Sequence, residues 1–171
     1  PGPVDVIDGP VIASQRIDVS YTGKESHASS FPQAGINAAD ALTVAQVAIG
    51  LMRQHIRPSD RIHGIVTKGG DAPNVIPAHT TARYAIRART LAQLEDVRAR
   101  VYRCFEAGAL ATGCSLEINE SEYAYAEMRH DADIAAAFKR NGEALGRAFL
   151  ESSPRMERYA GSTDMGNVSL A

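Results

Sequence analysis

The sequence predicts an α+β fold: a four-stranded antiparallel sheet with two helices on one face, followed by an extra C-terminal helix and loop. Three observations predict it. Short segments alternate apolar and polar residues with a period of two, while longer ones repeat apolar residues every three or four positions, which separates half-buried strands from amphipathic helices. Capping and turn residues stand at the junctions. The resulting order, strand, helix, strand, strand, helix, strand, is the split βαβ arrangement of a ferredoxin-like sandwich.

The first fifteen residues, with Pro1-Gly2-Pro3 at their head, read as a linker or as a remnant of another domain. The first strand follows, where Ile17, Val19 and Tyr21 alternate with Asp18, Ser20 and Thr22 up to Gly23. After a Ser- and Pro-containing loop, Ala38, Leu42, Ala45, Ile49, Met52 and Ile56 recur at helical spacing until Pro58. A second stripe, Val44, Val47, Ala48 and Leu51, widens the apolar face of that helix. Arg61 to Lys68 is rich in β-branched residues and closes on Gly69-Gly70, as a second strand does. His79 to Arg89 alternates again and forms a third, with Ala82, Tyr84 and Ile86 on one face and Arg83, Ala85 and Arg87 on the other. Thr90-Leu91-Ala92-Gln93 is a capping box opening a helix whose buried stripe runs through Leu94, Val97, Val101, Cys104 or Phe105, and Gly108, with Gly113 as its stop. Leu116 and Ile118 mark a fourth strand that can extend towards Tyr123 and Tyr125. The sandwich thus covers residues 16–126. Residues 127–171 read as part of a second domain: a helix capped by Asp131 with the stripe Ile134, Phe138, Asn141, Leu145 and Phe149, a break at Ser152-Ser153-Pro154, and a Gly/Ser-rich loop from Tyr159 to Ser169.

Composition excludes several roles. A chain of 171 residues, 44% hydrophobic and 22% charged, buries an ordinary core. A net charge of −2 with scattered arginines gives no nucleic-acid footprint. An RNA-binding sandwich also needs stacking aromatics on its central strands, and the third strand offers only Tyr84. No stretch reaches the ~20 apolar residues of a membrane span, and the N-terminus has no signal-peptide pattern. The reading is cytoplasmic. Two cysteines, Cys104 and Cys114, form neither a disulfide framework nor a metal motif and read as buried reduced thiols.

The loops carry the candidate chemistry. Gly23-Lys24-Glu25-Ser26-His27-Ala28-Ser29-Ser30-Phe31-Pro32 sets a histidine in a turn after a strand, and Gly69-Gly70-Asp71-Ala72-Pro73-Asn74-Val75-Ile76-Pro77 sets an asparagine in a loop before one. A loop histidine can donate to a developing oxyanion or shuttle a proton. An asparagine amide can donate to a carbonyl or carboxylate. Taken singly, each is more often a turn former. Arg87 can hold a carboxylate bidentately, though a strand arginine is as often salt-bridged. Asp164, alone in a Gly/Ser/Thr loop, is more often a cap than a ligand.

These two runs, with Arg87 following Pro77 by ten residues and the terminal Gly161-Ser162-Thr163-Asp164-Met165-Gly166-Asn167-Val168-Ser169 run, resemble the lid or dimerisation domain of dinuclear zinc peptidases of family M-twenty. That family includes aminoacylases, carboxypeptidase G and aminobenzoyl-glutamate hydrolases. The resemblance implies a homodimer in which His27 and Asn74 reach the partner's catalytic domain to bind substrate and stabilise the oxyanion, while Arg87 holds the substrate carboxylate. It also implies hydrolysis of an amide in an N-acyl amino acid, dipeptide or aminobenzoyl-glutamate-like substrate by a water on two zinc, manganese or cobalt ions. The family's metal-binding loops and adjacent glutamate pair have no counterpart here, and the five histidines, His27, His55, His63, His79 and His130, stand apart. The expectation is therefore a fragment that binds no metal and is inactive alone. A free-standing ferredoxin-like module binding a small regulatory ligand is the other reading. The helix from Asp131 and the Gly161–Ser169 run, which such a module does not need, separate the two.

Overall fold

The computed structural model describes residues 6–121, 123–150 and 160–171. Its sheet is built from β1 (Ala13–Thr22), β2 (Arg61–Lys68), β3 (His79–Ala88) and β4 (Ser115–Glu120) in the order β2-β3-β1-β4, all neighbours antiparallel. Two helices, α1 (Ala38–Met52) and α2 (Leu91–Thr112), cover one face, so the ferredoxin-like sandwich is observed.

Local chemistry sets the helix ends. The Asn37 side chain accepts from the Ala39 amide at 2.9 Å, filling one of the orphan donors at the start of α1. Thr90 does the same for α2 through the Gln93 amide at 3.2 Å, whereas the Gln93 Oε1 that would complete the box is buried without a partner among the described residues. Gly113 ends α2 with φ 77°, a left-handed conformation in which a side chain is strained.

The core lies between helices and sheet. Ile17, Val19 and Tyr21 of β1, Tyr84 and Ile86 of β3, and Val97, Val101 and Phe105 of α2 are buried together. Tyr84 meets Phe105 edge-on at 5.2 Å, and the Tyr21 hydroxyl donates to the Phe105 carbonyl at 2.8 Å. Burial pushes the Tyr21 phenol up, with Tyr84 and the two cysteines adding to the effect.

Within the sandwich, four expectations are corrected. β1 begins at Ala13 because Gln15, a polar residue where the alternation demands an apolar one, is buried with its amide donating to the Ser121 carbonyl at 2.9 Å. Only one stripe of α1 enters the core. Val44, Val47 (59% exposed) and Leu51 (71%) face away from it, since Ala38, Ala41, Leu42, Ala45 and Ile49 already meet the sheet and α2. Cys114 is buried, but Cys104 is only half-buried. The last strand stops at Glu120, and Tyr125 then re-pairs with Ser14 through two hydrogen bonds of 2.9 Å.

Outside the sandwich, α3 (Ala132–Ala144) is capped by Asp131, whose carboxylate accepts from the Asp133 and Ile134 amides at 2.9 Å. Its apolar stripe is exposed: Ile134 70%, Phe138 53%, Leu145 85%. Phe138 and Phe149 lie against one another with rings 5.8 Å apart, and Phe149 also meets Gly142 and the Arg147 guanidinium. The tail expected as a loop contains a short helix, α4 (Met165–Leu170). It is fastened to the 124–129 segment by Asn167, which accepts from the Ala126 amide and donates to the Ala124 carbonyl, both at 3.0 Å. The Pro1-Gly2-Pro3 run and the Ser152-Ser153-Pro154 break lie outside the described residues.

Candidate functional site

The sheet has a tip and a base, and each carries candidate residues. At the tip, the β1–β3 ladder continues past Thr22 and His79 into two loops. Gly23 donates to Ala78 at 2.7 Å, Ile76 to Ser26 at 2.8 Å and Ala28 to Asn74 at 2.9 Å, all through main-chain amides. Lys24 and Ile36 exchange two further bonds of 2.9 Å that close the first loop on itself. A side chain at position 23 would place its Cβ 2.1 Å from the Ile36 carbonyl oxygen, so this closure needs glycine. The two loops therefore face each other, and His27 and Asn74 come together.

The histidine ring is fixed in one tautomer. Its Nδ1 accepts from the Ser29 and Ser30 amides at 3.3 and 3.2 Å, and the Ser29 hydroxyl lies 3.2 Å away. A backbone amide only donates, so the neutral ring carries its proton on Nε2. Both His27 and Asn74 are exposed, and neither Nε2 nor the Asn74 amide has a hydrogen-bond partner among the described residues. The tip thus presents two donors to whatever approaches it.

Arg87 is elsewhere. It lies near the end of β3, in register with Ser14 and Arg61, eight residues along the strand from His79 and so about 26 Å from the tip. The open face of the sheet forms a cavity of about 290 Å³ there, lined by Arg16, Arg87, Ala85, Ser14, Tyr123 and Tyr125 among others. The Arg87 Nε is buried and has no partner among the described residues. Arg83 on the same face is instead bound to Asp18 through two contacts of 2.7 and 3.3 Å, which raises its pKa further. His63, on β2 opposite Ala85, is held below its ordinary pKa by burial first and then by Arg87 and Arg53.

Sequence reasoning missed Arg16, Tyr123 and Tyr125. The alternation that sent Arg83 and Arg87 to the open face of β3 also sends Arg16 to the open face of β1, but only the register Arg16↔Ala85 makes it a neighbour of Arg87. Asp164 stands at the N-terminal end of α4, where its carboxylate accepts from the Thr163 hydroxyl at 3.1 Å. Among the described residues no three His, Cys, Asp or Glu side chains converge to hold a metal, so they do not fit a metal centre. None of the described helices is long and apolar enough to cross a membrane.

Comparison with known proteins places this geometry. The mouse (Mus musculus) Xaa-Arg dipeptidase is 36% identical over 161 residues, spanning 94% of this chain and 37% of its own length. A p-aminobenzoyl-glutamate hydrolase subunit from Escherichia coli is 32% identical over 107 residues, which is 62% of this chain and 22% of that one. The chain thus spans little more than a third of the length of the dipeptidase. A solved aminobenzoyl-glutamate utilization protein from Klebsiella pneumoniae superposes with a TM-score of 0.74 over 98% of this chain and 42% of its own, at 20% identity, and shares the fold. Residues 13–112, from the first residue of β1 to the last of α2, match the family model described as the peptidase dimerisation domain, and the chain belongs to that family.

Proposed function

We propose that this chain is the dimerising and substrate-gripping part of a hydrolase that cleaves an amide bond in an N-acyl amino acid, dipeptide or aminobenzoyl-glutamate-like substrate. His27 and Asn74 act across a homodimer as catalytic contacts, and Arg87 holds the substrate carboxylate. Relatives named as a dipeptidase and a p-aminobenzoyl-glutamate hydrolase subunit support the reaction class. The observation that carries the rest is the distance between the two ends of the sheet.

In one copy of the chain, about 26 Å of strand separates Arg87 from the tip, too far for one small substrate to span. A second copy removes the gap. β2 is an edge strand with no strand beside its outer main-chain groups among the described residues, and Ile65 and Val66 on it are exposed, as are Val44, Val47 and Leu51 on α1. Pairing β2 with its symmetry mate runs the two antiparallel about a twofold axis, so the partner's tip arrives at the end where Arg87 lies. Arg87 then receives the carboxylate in a fork of N–H donors. The partner tip's His27 Nε2–H and Asn74 amide donate to the carbonyl oxygen as it takes up negative charge, an interaction stronger in the transition state than in the bound substrate. Metal ions, if the whole protein carries them, would be held by residues other than the described ones and would supply polarisation of water and carbonyl. The free cysteines fit a reducing, cytoplasmic compartment.

The test uses two variants of the whole protein, His27→Ala and Arg87→Gln, each expected to lose nearly all turnover. Co-refolding them in equal amounts is expected to restore about a quarter of the wild-type rate, because half of the dimers are mixed and each mixed dimer keeps one intact site. No recovery, with light scattering showing that mixed dimers form, means that the tip serves its own copy and overturns the trans arrangement.

A further inference from the structure

We propose that Phe31 is a specificity-determining residue of the tip: its ring covers the group bonded to the scissile carbonyl, and so favours substrates in which that group is large and apolar over those in which it is small. The inference rests on the reading of His27 and Asn74 as donors to that carbonyl and adds a substrate preference to it.

Phe31 is the only aromatic residue in the two tip loops, 23–37 and 69–78. The other large apolar side chains there, Ile36, Val75 and Ile76, are half-buried where the loops meet, whereas Phe31 is 63% exposed. Position 35 shows how closely the loops pack, since a Cβ built there would lie 3.0 Å from the Ile76 side chain. The tip thus has an apolar interior, and Phe31 stays outside it.

The Phe31 backbone is nonetheless held. Its amide donates to the His27 carbonyl at 3.0 Å, closing one turn of chain around Ala28, Ser29 and Ser30. Its carbonyl accepts from the Ser26 hydroxyl and from the Ala34 amide, the latter at 3.1 Å. Pro32 follows and keeps residue 31 out of the helical region, at φ −140° and ψ 50°. An aromatic ring on so ordered a turn loses little freedom when something covers it, which is how rigid aromatic anchors gain affinity.

The same turn carries the His27 ring, so Phe31 and the Nε2 donor approach a substrate together. In the trans arrangement the substrate carboxylate lies against Arg87 of the other copy. What remains for the tip to touch is the carbonyl and, beyond it, the group that the carbonyl carries. Covering the ring is favourable in proportion to the apolar area removed from water, so a leucyl side chain or an aryl ring gains where a hydrogen or a methyl does not.

The experiment measures kcat/KM of the whole protein on two matched pairs, leucyl-arginine against glycyl-arginine and p-aminobenzoyl-glutamate against N-acetylglutamate. Within a pair only the group on the carbonyl changes. In any pair that is hydrolysed, the first member is expected to be favoured by on the order of ten-fold. Phe31→Ala should bring the ratio close to one, and Phe31→Leu should keep most of it. In co-refolded His27→Ala and Arg87→Gln dimers, Phe31→Ala added to the Arg87→Gln chain should remove the preference, because that chain supplies the working tip. Added to the His27→Ala chain, it should leave the preference in place. A ratio unchanged by Phe31→Ala in the whole protein, or lost only from the His27→Ala chain, overturns the inference and leaves the His27 reading standing. Turnover that survives His27→Ala overturns that reading itself, and hydrolysis of none of the four compounds overturns both.

Discussion

α2 and α3 carry the same kind of apolar stripe and meet opposite fates. In α2, Leu94, Val97, Val101 and Phe105 are buried against β1, β3 and α1. In α3, Gly142 is the only buried residue, while Ile134, Phe138 and Leu145 remain in solvent. Periodicity therefore specifies that a helix has a face to bury, and says nothing about whether its own chain supplies the cover. The sandwich is a closed unit. The apolar stripe of α3 is left exposed among the described residues.

Stability measurements can break or sharpen that contrast. Phe105→Ala removes the ring that meets Tyr84 and fills the helix–sheet interface, so it should lower unfolding free energy by about 3–5 kcal/mol in urea titrations. Tyr21→Phe leaves the shape and takes away the donor to the buried Phe105 carbonyl, an expected loss of about 1–2 kcal/mol. Phe138→Ser deletes an aromatic of the same size as Phe105 from α3 and should change stability by less than about 0.5 kcal/mol, because the ring is already half in water. A loss of about 2 kcal/mol or more from Phe138→Ser would show that α3 unfolds with the sandwich and that the contrast is wrong.

The same division explains what was legible in the sequence. Every strand and both sandwich helices could be read because burial of one face imposes a period, and because Asn37, Thr90 and Gly113 mark helix ends through local hydrogen bonds. The start of β1 was hidden because Gln15 satisfies its amide against Ser121, a partner 106 residues away that no local pattern reveals. The choice between the two stripes of α1 was hidden for a similar reason: both are apolar, and only the packed sheet decides that the alanine-rich one goes inward. At the site, the loops bearing His27 and Asn74 were legible as loops. Their contact was not, since it is made by main-chain bonds between Ser26, Ala28, Asn74 and Ile76 that any side chains could accompany. The distance from the tip to Arg87, and the nearness of Arg16 to Arg87, are facts of register, which a strand's own residues leave open.

The open and covered faces of the sheet supply the smallest and most specific prediction. His63 sits on the open face, opposite Ala85 and within the field of Arg87 and Arg53, and its pKa is held below the ordinary 6.5, chiefly by burial. In the unfolded chain the imidazole feels neither effect, so as pH falls it takes up a proton there before it does in the folded protein. The stability tied to neutral His63 is therefore present above pH 6.5 and is lost as pH falls through the lower folded value. His63→Gln should flatten the fall in stability across that window while leaving stability above it nearly unchanged, as read from urea midpoints at a series of pH values. Arg87→Gln should flatten it only in part, because burial remains after the guanidinium has gone. Identical slopes in wild type and His63→Gln would mean that the base of the open face exerts no such pressure on His63. A full flattening by Arg87→Gln would instead make the guanidinium, and not burial, the dominant cause.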